Sequence, residues 1–503
     1  MMRFNLKNKD SINTPNTSSS LILLFAAPVM CAAAGGMGWG IRGQYGHEWG
    51  AMVPGVLVAF TLVFLFGQEL TALNTARAVS LTALAFSFGG TMTYGQTVGL
   101  TQDTPLVGNY PAFRWGMIGL FIKGGLWIGF GGAFLGIGLG GKEYRLKEMS
   151  ILYVVLLISV LLGIQLFNRP YVPEVGSADR VLPWIYFSDH WKWEPYNLQM
   201  KPRRECWGGL LCALTILVGY VGYIKKDKLA CNMAFVGIVS GGLGFTLGQW
   251  IQSKHSWTPG WLTTFDLSLH QWLPSIFPEK FFSLMSWNWW NMMETIFGLV
   301  LGFGLGLGLW FNRNLINLNK RKASVEISPK NELGLIVLYA VLLYLWGVKR
   351  YKGLDYVANF PLAMGAIPVI CVIGGRYWPY ILSLPLITLP IAGITMKITD
   401  KEHVYTDFFV LIVLPLGLMT VVALYFEKVG RCVLNGRLFT RYGLILSVIV
   451  YYSLNFVFFS FPWSTLPVGA RHTNNWIFLR CAELLIFGAL FMNRSDSQPE
   501  IRD

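Results

Sequence analysis

Three side chains that could do chemistry lie close together near the N-terminus of this sequence. Arg42, His47 and Glu48 belong to the stretch GGMGWGIRGQYGHEWG, residues 35–50, which holds seven glycines. An arginine presents a planar fork of donors to a carboxylate, phosphate or sulfate. A neighbouring histidine and glutamate can pass protons or act as a general base. The stretch therefore predicts a site for an anionic group. The structural alternative is a turn fastened by an Arg–Glu salt bridge.

The glycine pattern of this stretch recurs twice along the chain. Each copy has a Gly-Gly pair followed by Gly-Gln, and the copies are GGMGWGIRGQ (35–44), GGTMTYGQ (89–96) and GGLGFTLGQ (241–249). Internal repeats with binding sites at interrupted helices are typical of transporters, and glycine leaves helical geometry cheaply. We therefore predict glycine-broken helices and expect Gln44, Gln96 and Gln249 to converge. Glycine serving only helix packing is the alternative.

Several ionisable residues lie in or beside apolar runs, where such groups are functional by default. Lys123 and Glu294 occupy similar positions in two glycine-rich runs, so they either pair across the repeat or each face water. Arg480 and Glu483 are three residues apart on one predicted helix and form a structural pair. The predicted substrate-binding residues are Arg42, Gln44, His47, Glu48, Gln96, Asp103, Lys123, Gln249, His255 and Glu294.

The composition places the chain in a membrane. Of 503 residues, 54% are hydrophobic and 13% are charged, whereas soluble domains carry about 25% charged residues. A charge in hydrocarbon costs several kcal/mol, which explains the depletion. The net charge of +14 is distributed over short loops, so we expect no nucleic-acid partner. The seven cysteines form no CxxC pair and the six histidines no HxxH or HExxH pair. We therefore expect no metal site and no cofactor.

Apolar runs long enough to cross a bilayer occur about fourteen times, at roughly 17–25 residues each. They fall near 20–40, 49–67, 77–99, 115–140, 149–167, 206–224, 230–250, 289–312, 333–348, 356–374, 377–397, 407–426, 442–460 and 476–492. With the N-terminus inside, alternate loops carry the Lys and Arg residues, as cytoplasmic loops do. Lys349–Arg350–Tyr351–Lys352 is the exception and leaves the topology of 333–376 open.

These runs predict an all-α, polytopic membrane helix bundle in two parts. A polar cytoplasmic N-terminus (1–19) precedes a glycine-rich transmembrane part (20–312), and a basic linker (313–332) leads to a C-terminal transmembrane part (333–492) and a cytoplasmic tail (493–503). Two outer segments, 168–205 and 251–288, are rich in aromatic residues. Their composition argues against disorder, so we expect them to cover the outer mouth of the bundle.

Three functions fit this architecture. The first is a transporter or permease for a small polar solute, anionic or sugar-like. The second is an intramembrane transferase acting on a lipid-linked sugar or acyl group, with His47, Glu48, Asp103 or the Asp189–His190 pair as acid and base. The third is a structural subunit of a membrane complex. The expected partners are the lipid bilayer and a solute, with a homo-oligomer left open, and the expected location is a bacterial inner membrane with both termini cytoplasmic.

Overall fold

A computed structural model gives the arrangement of these segments. It describes residues 17–45, 48–67, 69–173, 180–194, 203–261, 288–316, 324–347, 365–384, 403–430, 436–459 and 472–492. These residues form sixteen α-helices, and their only extended pairing is two isolated bridges. The prediction of an all-helical chain is confirmed for the described residues. Residues 1–16, most of the second outer segment, residues 317–323 of the basic linker and the C-terminal tail lie outside them.

The helices of the glycine-rich part come first in the chain. They are α1 (Thr17–Ile41), α2 (Met52–Phe66), α3 (Ala72–Gly89), α4 (Gly95–Gln102), α5 (Tyr110–Leu139), α6 (Leu146–Phe167), α7 (Trp207–Gly219), α8 (Lys228–Trp257) and α9 (Trp289–Phe311). A 3-10 turn, Arg42–Tyr45, follows α1 directly, and a π turn, Tyr220–Ile224, extends α7. The end of α8 corrects one prediction, since 251–257 is helix rather than the start of an outer loop.

The C-terminal part contributes shorter helices. They are α10 (Pro329–Gly347), α11 (Ile367–Gly374), α12 (Trp378–Ser383), α13 (Val404–Phe408), α14 (Leu414–Gly430), α15 (Gly436–Phe459) and α16 (His472–Phe491). The buried Glu332 carboxylate fixes the start of α12, because it accepts the backbone N–H groups of Arg376, Tyr377 and Trp378 at 2.8–2.9 Å. Such a carboxylate satisfies N–H groups that the first turn of a helix leaves without partners.

Within the described part of the chain, seven helical stretches are long and apolar enough to cross a membrane. They are Leu21–Ile41, Tyr110–Leu139, Leu146–Phe167, Trp207–Ile224, Lys228–Trp257, Trp289–Phe311 and Asn474–Phe491. The chain is thus helical with several candidate membrane spans, while the count of fourteen stays a prediction. Helix α2 coincides with the predicted run 49–67, but its 15 residues span only about 22 Å. Every residue of α2 is buried, as expected for a helix that is apolar all round.

Glycine brings two pairs of helices into close contact. A Cβ atom on Gly132 of α5 would lie 2.0 Å from the carbonyl oxygen of Met233 in α8. A Cβ on Gly302 of α9 would lie 2.0 Å from the carbonyl oxygen of Cys31 in α1. Small residues let helix backbones approach in this way. Since α8 also packs against α9, the helices α5, α8, α9 and α1 form a row.

The three glycine motifs differ in whether a helix is interrupted. At the first motif (35–44), α1 continues through Gly35, Gly36, Gly38 and Gly40, ends at Ile41 and is followed by the 3-10 turn Arg42–Tyr45. At the third motif α8 runs unbroken through 241–249, so the prediction of a glycine-broken helix is wrong there and the glycines serve close packing instead. At the second motif it is correct, because α3 ends at Gly89 and α4 begins at Gly95.

Candidate functional site

Residues 90–94 interrupt the helical path between α3 and α4 inside the bundle. Gly89 is pressed against α5, where a Cβ atom would lie 2.8 Å from the Cα of Trp127. Backbone groups released by a break at such a depth need partners within the protein. Side chains provide them: Trp127 donates to the Phe86 carbonyl at 2.7 Å, the Cys206 thiol to the Thr91 carbonyl at 3.4 Å, and Lys123 to the Thr93 carbonyl at 2.8 Å.

The first buried ion pair joins the end of α1 to α9. Arg42 Nη2 lies 2.9 Å from Glu294 Oε1, and only 2% of the Arg42 side chain and 5% of the Glu294 side chain are exposed. Arg42 also donates to the Tyr94 hydroxyl, which lies 3.2 Å from the same carboxylate oxygen. Trp290 Nε1 approaches that oxygen at 3.3 Å. A buried charge pair holds only if such hydrogen bonds satisfy its remaining groups.

Aromatic rings surround the Arg42 guanidinium. Its central carbon lies 5.1 Å from the ring centre of Trp39, 5.7 Å from that of Tyr94 and 5.6 Å from that of Trp127. Cation–π attraction strengthens when the cation is removed from water. The Arg42 Nε atom is buried and has no hydrogen-bond partner among the described residues. One edge of the guanidinium fork thus makes no hydrogen bond within the described part of the chain.

The second buried ion pair joins α5 to the start of α7. Lys123 Nζ lies 2.5 Å from Glu205 Oε1, and each side chain is 1% exposed. Lys123 also donates to Thr97 Oγ1 at 2.7 Å, which with the Thr93 carbonyl uses all three of its N–H donors. Glu205 accepts from the Ser188 hydroxyl at 2.8 Å and from the Phe187 backbone N–H at 3.0 Å.

The interrupted segment connects the two ion pairs. Thr93 contributes its carbonyl to the Lys123–Glu205 pair, and its neighbour Tyr94 contributes its hydroxyl to the Arg42–Glu294 pair. At 1.5 Å per residue, Lys123 lies about 20 Å from the start of α5 and about 24 Å from its end. Neither alternative for Lys123 and Glu294 is correct, because both are buried and each has a different partner. The segment 90–94 stands between the two pairs.

A separate polar cluster surrounds Gln249 where α8 meets α4. Gln249 donates to Thr101 Oγ1 at 2.7 Å and to Ser253 Oγ at 3.2 Å, while Trp257 donates to the Thr101 carbonyl at 2.8 Å. The buried Oε1 of Gln249 has no partner among the described residues. Gln96, also on α4, instead accepts the Arg203 backbone N–H at 2.9 Å. The side chain of Gln44 lies outside the described residues, so convergence of all three glutamines stays a prediction.

Asp103 and His190 meet at the edge of the site. His190 Nε2 lies 3.4 Å from Asp103 Oδ2, an ion-pair distance without hydrogen-bond alignment. His190 is buried, whereas 41% of the Asp103 side chain is exposed. Gly99 of α4 borders both, because a Cβ there would lie 2.4 Å from the Asp103 carboxylate and 2.8 Å from the His190 ring.

The other predicted residues are not members of the two ion pairs, although Glu48 is near enough to Arg42 to interact with it electrostatically. His255, in the last turn of α8, stacks on Trp289 with ring centres 4.1 Å apart. Glu48 lies half-buried in the turn before α2. His47 lies outside the described residues. Arg480 and Glu483 form the predicted pair at 2.6 Å on the exposed side of α16.

Sequence reasoning missed Tyr94, Thr93 and Glu205. Tyr94 stands inside the GGTMTYGQ motif, but a tyrosine among glycines carries no charge and was passed over. Glu205 follows Arg203 and Arg204 in an outer segment, which is typical of an interfacial carboxylate. Its distance of 82 residues from Lys123 hides the pairing. Among the described residues no three His, Cys, Asp or Glu side chains form a group that could hold a metal ion.

Comparison of the chain with protein-family models, with curated proteins and with solved structures gives no match.

Proposed function

We propose that the protein is a multi-pass membrane permease for a small polar solute, anionic or sugar-like, with its site at the break between α3 and α4. One observation carries the proposal. Two adjacent residues of the break, Thr93 and Tyr94, hold two buried ion pairs that belong to different helices. Discontinuous helices with charged groups at the break, inside a bundle of spans, are the common construction of solute sites in secondary transporters.

Arg42 is the residue that would recognise the solute. Its Nε has no partner among the described residues, so a carboxylate or phosphate could use this edge of the fork. Entry of an anion would weaken the bond to Glu294, because both compete for one guanidinium. Trp39, Trp127 and Trp290 would contact the remainder of the solute, and aromatic rings suit the apolar faces of sugars.

The two ion pairs would act as the movable closure of this site. Each pair is neutral, and each links a different pair of elements: Arg42–Glu294 links α1 and α9, and Lys123–Glu205 links α5 and α7. Exchange of these partners for a solute would let the elements move relative to one another. A ligand shifts such an equilibrium only through its different affinity for the two states, which competition for Arg42 provides.

The proposed setting is a bacterial inner membrane with about fourteen spans and both termini in the cytoplasm. Lys and Arg residues in alternate loops support this orientation. The break with Thr93, the Asp103–His190 pair and the aromatic segment 180–194 then lie toward the outer side. The possible homo-oligomer belongs to the same proposal, since glycine surfaces pack equally well between copies.

An intramembrane transferase is the second candidate, and the Asp103–His190 pair favours it. A partly exposed carboxylate beside a buried imidazole is a plausible acid–base couple. Against the transferase, neither Gly99 nor Thr97 provides a nucleophile that is aligned with the Asp103–His190 pair. The Thr97 hydroxyl instead bonds to Lys123 and to the Ser188 hydroxyl.

The test combines ligand screening with transport. Purified full-length protein is screened by thermal shift against sugars, sugar acids, sugar phosphates and nucleotides, and compounds that shift the Tm are offered, radiolabelled, to proteoliposomes. We expect an acidic compound to accumulate chemically unaltered. Arg42→Lys keeps the charge but loses the fork, so its uptake should fall roughly tenfold or more. The control Arg480→Lys, in the exposed pair, should transport as wild type.

Two results would count against the proposal. Recovery of a chemically changed compound that depends on Asp103 would favour the transferase. Uptake by Arg42→Lys at the wild-type rate would show that Arg42 is not part of the solute site.

A further inference from the structure

A cavity lies between the start of α6 and the end of α7, away from the ion pairs. It encloses about 710 Å³ and is lined mainly by apolar side chains, among them Ile151, Val155, Ile216 and Tyr220. Ile151 is 55% exposed and Ile216 is 39% exposed, so the groove opens sideways from the bundle. Since α6 and α7 are candidate membrane spans, this opening faces the lipid acyl chains.

One end of the groove is positively charged. Arg145 and Lys147 line it, and both are exposed without an ion-pair partner among the described residues. One acidic side chain there, Glu148, is already neutralised, because Lys225 lies 2.9 Å from it and the Tyr220 hydroxyl donates to it. A second, Glu326, accepts the backbone N–H of Leu146 at 3.1 Å. Arg145, Lys147 and Glu326 together leave one net positive charge at the mouth of an apolar groove.

The helix that forms one wall of the groove departs locally from α-helical geometry. Helix α7 changes at Gly219 into the π turn Tyr220–Ile224. Such turns in α-helices are often found at functional sites. A Cβ on Gly219 would meet no described atom within 4 Å, whereas at Gly132 of α5 or Gly302 of α9 it would lie 2.0 Å from a carbonyl oxygen. Gly219 thus borders empty space rather than a neighbouring helix.

We propose that this groove binds one anionic phospholipid, with an acyl chain along Ile151, Val155 and Ile216 and the phosphate beside Arg145 and Lys147. A cleft of several hundred Å³ suits a ligand of this size. Basic pockets between spans at the cytoplasmic end recognise anionic head groups. The groove is separate from the α3–α4 break, so the inference stands whether or not the protein is a permease.

The test is native mass spectrometry of the full-length protein in neutral detergent with added phosphatidylglycerol or phosphatidylcholine. We expect wild type to retain one phosphatidylglycerol with a preference on the order of tenfold, given two basic side chains near the phosphate. Gly219→Leu should fill the groove and abolish retention of this lipid. The control Gly334→Leu also replaces a glycine whose Cβ meets nothing, but it lies on α10 and should retain the lipid.

Charge variants separate the contribution of the lipid head group to binding from that of the acyl chain. Arg145→Gln with Lys147→Gln should bind both lipids equally, whereas Lys142→Gln with Lys428→Gln removes the same net charge outside the groove and should keep the preference. Unchanged retention by Gly219→Leu, equal binding of both lipids by wild type, or a preference that survives Arg145→Gln with Lys147→Gln would each overturn the proposal. The Tm of every variant confirms that it is folded.

Discussion

Arg42 is the residue on which the stability of the site depends most. It is buried, bonded to Glu294 and Tyr94, and surrounded by three aromatic rings. Removing one partner of such a pair leaves a charge in a medium of low polarity, which costs far more than an exposed pair contributes. The residue therefore ties stability and the proposed recognition to one set of contacts.

Neutralising Glu294 should destabilise the protein strongly. We expect Glu294→Gln to lower the free energy of unfolding by about 3–5 kcal/mol, because Arg42 stays charged and buried. The measurement is unfolding in mild detergent, followed by circular dichroism. Glu483→Gln, which breaks the exposed pair with Arg480, should cost less than about 1 kcal/mol. Equal effects of the two substitutions would show that Arg42 is not held in a dry environment.

A second residue-level prediction concerns Asp189, which lies outside the spans. Burial raises the pKa of Asp189 above its ordinary range, although its carboxylate accepts the Lys192 backbone N–H at 3.0 Å. The folded state then holds the proton more tightly than the unfolded state. Stability is therefore lost as the pH rises through the raised pKa and is retained below the ordinary pKa.

Asp189→Asn retains a side-chain oxygen that can accept the Lys192 backbone N–H, and it removes the ionisable carboxyl group. Its Tm should exceed that of wild type at neutral pH, and the difference should vanish in acid, where both side chains are neutral. A pH-independent difference in Tm between the two proteins would contradict the assigned protonation.

Sequence reasoning found the charged half of the site but not its partners. Arg42, Lys123 and Glu294 stood out because charges are rare in apolar runs. Their pairing could not be read from the chain, since Arg42 and Glu294 are 252 residues apart and Lys123 and Glu205 are 82 apart. Tyr94 became visible only with the structure, because its role depends on which groups surround its hydroxyl.

At the scale of the helices, glycine has two separate uses. In α5, α8, α1 and α9 it permits backbone contact, whereas at 89–95 it accompanies an interruption between two helices. The sequence pattern is the same in both cases, which is why the sequence predicts a break at 241–249, where α8 is continuous. What separates them is the packing partner: Gly89 faces Trp127 and a set of side-chain donors that can satisfy an open backbone.

The close contact between α5 and α8 gives the third prediction. Gly132→Leu should separate the helices and destabilise the protein by more than about 1–3 kcal/mol, the usual cost of overpacking, because even a Cβ would lie 2.0 Å from the Met233 carbonyl oxygen. Thermal unfolding measures this. Gly417→Leu is the matched control, since its Cβ meets nothing within 4 Å, and its Tm should equal or exceed that of wild type. A stable Gly132→Leu would mean that α5 and α8 are not in backbone contact.

Helix positions were predictable, and their environments were less so. The predicted runs 115–140 and 289–312 coincide with α5 and α9 to within a few residues, because long apolar runs leave little choice of structure. Run 49–67 gave α2, whose complete burial depends on the neighbouring helices and not on its own composition. The single run predicted at 77–99 corresponds to two helices, α3 and α4, because a hydropathy pattern does not reveal the five-residue gap between them.

For the whole molecule, the arrangement of charges predicts how the chain crosses the membrane. Lys142 follows α5, and Lys254 lies in the last turn of α8. By the positive-inside rule and the direction of the helices, we expect Lys142 on the cytoplasmic side and Lys254 on the outer side. This orientation would place the aromatic segment 180–194 and the α3–α4 break toward the side from which an external solute would arrive.

Cysteine labelling tests the orientation. Lys254→Cys should react with a membrane-impermeant maleimide in intact cells, and Lys142→Cys only after permeabilisation. The background is a chain in which the native cysteines have been replaced. Reversed labelling would place both the α3–α4 break and the proposed route of solute entry near the cytoplasm.

The most direct measurement of the central claim is solute uptake by the double variant Arg42→Gln with Glu294→Gln. Replacing both members removes the unpaired charge, so the double variant should regain most of the stability that Glu294→Gln loses. Uptake into proteoliposomes should nevertheless remain at background, because the guanidinium fork is gone. A double variant that folds and transports at the wild-type rate would show that the Arg42–Glu294 pair is scaffolding and that the solute passes elsewhere.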